Sequence, residues 1–510
     1  MLARVRSAAV LGLQAYGVDV EVDVGGGLPA FAIVGLPDAA VQEAKERVRS
    51  AIRNAGYEVP ARKITINLAP ADVRKAGPAF DLPMAVGILA ATGQLTGARL
   101  DGAMLLGELS LDGSIRPVPG LLAIALAARA LGISSLVVPE RNAPEAALVE
   151  GIDVHPVDSL ARVVAHLTGR ALVPPFQGPP ASGAEPDAGE HDFAEIRGQG
   201  HARRAMEIAA AGGHNVLLVG PPGSGKTMLA HRLPSILPPL AWHEAIEVTR
   251  IYSVAGLLPG GSGPMQTRPF RSPHHTTSTA AMIGGGAGAR PGEITLAHHG
   301  VLFLDELPEF HRDVLEVLRQ PLEDRVVTVA RSQLTVTFPA AFMLVGAMNP
   351  CPCGHHGDDG AECLCTPPQV ARYLGRISGP LLDRLDLHVE APRVSPAELT
   401  GPATGEPSSA IRARVCAARE RQTARFAGSC GCNALMTGKQ LRRHCRLDEV
   451  TRTFLRTAIE RLGLSARAYD RVLRVARTIA DLEGAEDIAV AHLAEAVQCR
   501  VFDRRLRLPV

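Results

Sequence analysis

Apolar positions along the chain change their period from region to region, and each period predicts a different kind of element. Near the start, Asp19, Glu21 and Asp23 alternate with valines, the two-residue rhythm of a strand with one wet face. Short apolar stretches at Val20–Val24, Ile64–Leu68 and Met104–Leu106 interleave with helical patterns at Ala39–Asn54, Leu82–Thr92 and Leu121–Leu131, which predicts an α+β or α/β domain. Further on, Asn215–Val219, Val301–Leu304 and Phe342–Val345 are unbroken apolar runs. Strands covered on both faces read this way, so a mainly parallel sheet is expected. From about Ser408 the spacing turns helical, most clearly over Val450–Leu462 and Ser465–Glu483.

The Gly/Pro/Ala-rich stretch Pro174–Glu190 lacks any packing period and is expected to be a flexible connector. With 510 residues and 46% hydrophobic content the chain can bury several cores. The expected division is a front domain over 1–170, a linker over 171–192, a core over 193–397 and a helical domain over 405–505. Lys+Arg 53 against Asp+Glu 52 leaves a formal charge of +1, so any contact with a polyanion must come from a local patch. Aromatics at 4% disfavour an extended base-stacking platform. The opening residues imitate a signal peptide, but Gln14 and Tyr16 interrupt the run and strand alternation follows. Leu121–Val138 carries Arg129 and Gly132 and reads as a buried helix turning into a strand, not as a membrane span. A cytoplasmic protein with reduced thiols is expected.

Gly220–Thr227, "GPPGSGKT", fits the phosphate-binding loop pattern and lies between an apolar strand and a helical stretch that begins near Lys226. Gly220, Pro221, Pro222, Gly223, Ser224 and Gly225 would curl backbone amides around phosphate oxygens; Lys226 adds a mobile positive charge and Thr227 a hydroxyl for Mg²⁺. In "VLFLDE", Asp305 is placed to steady the Mg²⁺ and Glu306 to orient the attacking water. Asn349, at the tip of the next apolar strand, would reach the γ-phosphate or that water. Together these residues predict hydrolysis of a nucleoside triphosphate such as ATP.

Four of the nine cysteines fall in "MNPCPCGHHGDDGAECLC". Cys351, Cys353, Cys363 and Cys365 form two close pairs that can converge on a structural Zn²⁺, whose preference for thiolates suits the set. Reduced structural or redox-active thiols are the alternative, and His355 and His356 are alternative ligands. Four thiolates leave no open position, so no catalytic role is expected for the metal. Cys430 and Cys432, with Cys445 nearby, carry no motif and are expected to be buried or incidental.

The stretches "RPFRSPHHTTS", "RPGEITLAHHGVLFLDELPEF", "SGPLLDRLDLHV" and "SARAYDRVLRVARTIADLEG" accompany these motifs, and the chain resembles the magnesium-chelatase-like AAA+ ATPases of the ComM/YifB type over nearly its whole length. The resemblance implies an α/β AAA+ P-loop NTPase core with a parallel sheet, a Lon-protease-like (S5-like) α+β domain before it and an α-helical lid after it. It implies Arg384 as an arginine finger reaching a neighbouring subunit, Arg467 as a lid-domain sensor with Arg471 as fallback, and a hexameric ring. In the front domain, "RKAGPAFDLPMAVGILAATG" and "GELSLDGSIRPVPGLLAIALAARALG" resemble the segments that hold the Lon serine and lysine. Here those positions read Ala79 and Leu122 or Ile124, so peptidase activity is not expected.

Val326, Thr328, Leu334 and Val336 alternate about Ala330–Gln333, a hairpin pattern that in the resembled group points into the ring channel. Arg325 and Arg331 would grip DNA phosphates there. Arg271, His274 and His275 form a second candidate loop of unassigned direction. The favoured reading is an ATP-driven DNA motor acting on single-stranded or branched DNA, a branch-migration helicase supporting recombination of incoming DNA in natural transformation. Its alternatives are a chelatase-type remodelling subunit and an ATP-gated regulatory scaffold that binds protein.

Overall fold

The computed structural model describes residues 2–73, 75–178, 191–258, 263–286, 289–331, 334–358, 360–400, 405–427, 431–463 and 465–500. The front of the chain builds a seven-stranded mixed sheet from β1 (Leu2–Leu11), β2 (Gln14–Gly25), β3 (Ala30–Val34), β4 (Lys63–Ala69), β5 (Ala103–Leu105), β6 (Ser135–Pro139) and β7 (Asp153–Val157), in the order β3-β4-β2-β1-β5-β6-β7. The signal-like opening is the antiparallel β1–β2 pair, registered from Leu2 opposite Asp23 to Leu11 opposite Gln14. Its alternation places Val18, Val20 and Val22 in the core and Arg4 against Asp19 at the surface. Among the helices that cover the sheet are α1 (Ala39–Asn54), α2 (Asp81–Ala91) and α3 (Leu121–Ala130). The bounds of α1 coincide with the predicted ones, its first turn being capped by the Asp38 carboxylate, which accepts from Val41 N at 2.9 Å. Gly87 in α2 lets the helix sit close on β2, since a Cβ there would lie 2.5 Å from Val22 Cγ2.

The start of the expected connector lies against the front sheet. Val173 is buried and Phe176 N donates to Val154 O at 2.7 Å, because these apolar residues find the flank of β7. Residues 179–190 of that connector lie outside the described residues.

A second sheet follows, of β8 (Val216–Val219), β9 (Phe270–Arg271), β10 (Val301–Leu304), β13 (Met343–Met348) and β14 (Leu387–Glu390), all parallel, in the order β9-β10-β13-β8-β14. Between β10 and β13 the chain makes the antiparallel hairpin β11 (Val326–Arg331) and β12 (Leu334–Pro339). The unbroken apolar runs are explained by two covered faces. Val216 and Leu218 join a core with α4 (Gly200–Gly212), α5 (Lys226–Ile236) and the C-terminal helices, while Leu217 and Val219 join a separate core with Leu302, Leu304 and Leu344.

The C-terminal helices α8 (Ser408–Phe426), α9 (Glu449–Leu462), α10 (Ala466–Glu483) and α11 (Val490–Gln498) close over the first of these cores; α6 (Trp242–Ala255) and α7 (Pro367–Leu374) precede them. The front block is seated on α6 and the hairpin. Leu13, in the β1–β2 turn, shares a small core with Ile251, Ala289, Leu296 and Phe338. Gly12 abuts Val336 so closely that a Cβ would lie 2.4 Å from its Cγ1, and Gly120 N donates to Ser253 O at 3.0 Å. No helix among the described residues is long and apolar enough to cross a membrane.

Candidate functional site

The ends of β8, β10 and β13 bring the motif residues to one place. The loop leaving β8 turns through Gly223 and Gly225 at φ 74 and 89, conformations that only glycine adopts freely, and α5 starts at Lys226. Gly220 is required for another reason: a Cβ would lie 2.0 Å from Ala391 O. Lys226 is buried; its Nζ donates to Gly220 O at 2.8 Å, Pro221 O at 2.9 Å and Asn349 Oδ1 at 3.2 Å. Burial lowers its pKa, opposed by Asp305 and Glu306. Thr227 Oγ1 donates to Asp305 Oδ2 at 2.7 Å, and the other Asp305 oxygen accepts from Glu306 N at 2.9 Å. Glu306 itself sits at φ 51, an uncommon conformation for a non-glycine residue. His275 Nδ1 lies 3.7 Å from Glu306 Oε2. The loop whose direction the sequence left open therefore faces the acid pair, with the His274 and His275 rings tilted against each other at 4.1 Å and Arg271 held by Glu293 through bonds of 2.7 and 2.8 Å.

Arg384 lies at the opposite end of the sheet from Asn349, where β14 begins. Its guanidinium donates to Pro380 O at 2.6 Å and pairs with Glu323, and its side chain is 12% exposed. Arg467 is the open one of the two lid arginines, 69% exposed and 3.9 Å from Asp383. Arg471 instead is committed to a buried pair with Asp386, so the fallback position is occupied by a structural bond. That pair is the centre of a polar network the sequence did not reveal. The second Asp386 oxygen accepts from His214 Nδ1 at 3.3 Å and Asn215 N at 3.2 Å, and His214 Nε2 meets Thr478 Oγ1 at 2.8 Å. Asn215 Nδ2 donates to Arg384 O at 3.0 Å while its Oδ1 accepts from Leu344 N at 2.8 Å. One side chain thus ties the start of β14 to the strand that carries Asn349.

Arg325 stands at the foot of the hairpin at φ 57, its carbonyl accepting from Ala340 N at 2.7 Å. Arg331 closes β11 opposite Leu334; its side chain, and Ser332 and Gln333, lie outside the described residues.

Cys351, Cys353, Cys363 and Cys365 converge, with all four sulfurs within 4.8 Å of one another. His355 is turned from them toward Asp358 at 3.2 Å. Cys430 lies outside the described residues; Cys432 and Cys445 are buried, and burial pushes the Cys445 thiol up to about 12. A second grouping, Glu247 with His298 and His299, has the composition of a cation site but different hydrogen bonding. His298 Nδ1 accepts from Ala341 N at 3.0 Å, so the neutral ring carries its hydrogen on Nε2 and donates it to Glu247 at 3.1 Å. His299 Nε2 meets the same oxygen at 3.0 Å, and with His298 holds the Glu247 carboxyl at about 2.

In the front block, Ala79 is half-buried and Leu122 and Ile124 are fully buried, so none of the three presents a reactive group. Lys75, which sequence reasoning passed over, is fully buried with no hydrogen-bond partner at Nζ among the described residues, and burial lowers its pKa.

Comparison with known proteins accounts for most of the chain. The family described as "Magnesium chelatase, subunit ChlI" matches residues 192–399, "Subunit ChlI of Mg-chelatase" matches 20–142, and "Magnesium chelatase, subunit ChlI C-terminal" matches 405–500. The protein named YifB of Salmonella typhimurium is 46% identical over 506 residues, 99% of this chain and 98% of its own length. Competence protein ComM of Haemophilus influenzae is 45% identical over 509 residues, 99% of either chain. Lon protease of Mycolicibacterium smegmatis is 29% identical over 169 residues, 31% of this chain and 21% of its own length.

Proposed function

Because the chain belongs to the magnesium chelatase subunit ChlI family, among the AAA+ relatives named YifB and ComM, we propose that it hydrolyses ATP and couples hydrolysis to movement along DNA. The observation that carries this reading is the meeting of Lys226, Thr227, Asp305, Glu306 and Asn349 at the ends of three adjacent parallel strands. In this reading the amides of Gly220–Thr227 and the Lys226 ammonium hold the phosphates. Thr227 and Asp305 offer hydroxyl and carboxylate oxygens, a hard donor pair that suits Mg²⁺. When bound, Mg²⁺ neutralises phosphate charge. Glu306 orients the attacking water, and Asn349, already on Lys226, senses the γ-phosphate.

Arg384 acts in trans, exchanging Glu323 for the γ-phosphate of the next subunit in a hexameric ring, and Arg467 reports the nucleotide to the lid. Arg325 and Arg331 contact the DNA backbone from the hairpin, six copies making a basic collar in a chain of nearly zero net charge. We assign the four converging thiols to a structural Zn²⁺. The protein works in the cytoplasm, and its full-length likeness to a competence protein supports branch migration of incoming DNA as its task.

The test is ATP turnover with single-stranded DNA, forked DNA and no DNA, repeated across a salt series. DNA should stimulate turnover several-fold, with apparent affinity falling steeply as salt rises; Arg325→Ala with Arg331→Ala should flatten that slope. Turnover indifferent to every DNA, with a normal basal rate, would leave an ATPase that acts on another load.

A further inference from the structure

The cysteine loop and the nucleotide loop are far apart in sequence and touch in space. Cys351 follows Asn349 by two residues and is fully buried. Its sulfur lies 3.3 Å from that of Cys353 and 3.8 Å from that of Cys363, and the Cys353 and Cys363 sulfurs are 3.7 Å apart. A tetrahedral ion with Zn–S bonds of about 2.3 Å sets sulfurs about 3.8 Å apart, whereas a disulfide joins them at about 2.05 Å. The spacing is that of thiols arranged about an ion. Cys353 N also donates to Cys365 Sγ at 3.4 Å, the type of outer bond that orients a thiolate ligand.

Gly354, the next residue, is in the left-handed region at φ 86, with its N–H donating to Cys351 O at 3.0 Å. It is pressed on the phosphate loop: a Cβ at Gly354 would lie 2.5 Å from Pro222 Cδ and 2.7 Å from its Cγ. The far side of the same loop is anchored too, Asp358 pairing with Arg393 at 3.4 Å just beyond β14. The thiol cluster therefore bears on the nucleotide cradle twice, through Asn349 along the chain and through Gly354 against Pro222.

We infer that Zn²⁺ bound by Cys351, Cys353, Cys363 and Cys365 is a brace for the ATP cradle, so that metal occupancy sets nucleotide affinity although the ion touches no phosphate. The inference rests on reading Gly220–Thr227 as an ATP site. Occupied, the cluster fixes the Cys351–Gly354 turn and with it the position of Pro222 and Asn349; a shift of about 1 Å in such supports is enough to cost one to two orders of magnitude. Gly354 is a positioning residue, since it acts on nucleotide only through Pro222.

The experiment uses full-length protein, with zinc measured by elemental analysis and affinity by titration with a fluorescent ATP analogue in the absence of DNA. Purified protein should carry one Zn²⁺ per chain. Stripping it with a strong chelator should weaken the analogue at least about tenfold, with circular dichroism unchanged, and added Zn²⁺ should restore it. Gly354→Ala should keep its Zn²⁺ and still lose affinity by a similar factor, whereas Cys363→Ser with Cys365→Ser should lose both. Absence of zinc binding, equal affinity in stripped and loaded protein, or a Gly354→Ala variant that keeps both metal and full affinity would each overturn the brace. Zinc-loaded wild type that fails to bind the analogue at all would instead overturn the ATP-site reading, and the brace with it.

Discussion

Replacing Asp386 by Asn should destabilise the protein by several kcal/mol. Asp386 is 3% exposed and faces Arg471, His214 Nδ1 and Asn215 N. Burial works against its charge, but Arg471 and then His214 outweigh it and hold the carboxyl well below the usual carboxylate range. Removing the carboxylate leaves the Arg471 guanidinium, its side chain 16% exposed, without its counter-charge, at a cost of up to about 3–5 kcal/mol. For a cooperative unit of roughly 200 residues that is a fall of about 6–20 °C in the melting transition that includes the C-terminal helices. Scanning calorimetry reads it directly. The pairing itself is isolated by a double-mutant cycle: Asp386→Asn with Arg471→Met should cost less than the two single changes added, by about 1–3 kcal/mol.

The pH profile gives an independent reading of the same group. Because the folded pKa is depressed, the stabilisation is complete above the unfolded carboxylate value of about 4 and is lost as pH falls toward the folded value. Wild type should therefore lose stability below about pH 4 more steeply than Asp386→Asn. A variant whose melting point falls by less than about 2 °C, or whose acid slope matches wild type, would show that Asp386 is not the charge that joins the lid to the start of β14.

Glu306→Gln should bind the ATP analogue as wild type does but hydrolyse ATP about 10²-fold more slowly, measured by phosphate release; a loss below tenfold would remove Glu306 from water activation. Arg384→Ala should depress turnover by about 10³-fold in the assembled protein and leave analogue binding intact. Glu323→Gln breaks only a partly exposed pair, worth at most about 1 kcal/mol, and should leave turnover unchanged or raised. If Glu323→Gln instead lowers turnover as far as Arg384→Ala does, the arginine works from its intramolecular pair and not in trans.

Elements with a local cause were legible. The alternation of valines with Asp19, Glu21 and Asp23 became β2, and the unbroken runs became β8, β10 and β13, because period and continuity record how many faces a strand covers. Strand ends were less legible: the predicted Val20–Val24 extends to Gln14–Gly25, since Ala15 and Tyr16 are held by pairing with β1 and not by their own pattern. The phosphate loop, the acid pair and Asn349 were readable as spaced motifs. What escaped were side chains whose meaning depends on distant partners. Asp386 and His214 are 172 residues apart, and Asn215 reaches Leu344 and Arg384 across the sheet. No local period marks Asn215 as anything but the first residue of a strand. Gly354 likewise reads as an ordinary loop glycine until Pro222 is found against it.

The seat of the hairpin on the β1–β2 turn has a mechanical corollary. Two hairpin residues rest on that turn, Val336 against Gly12 and Phe338 against Leu13, so β12 cannot shift without moving the link between β1 and β2. Load placed on that hairpin would therefore pass into the front sheet, which makes the first residues of the chain its foundation.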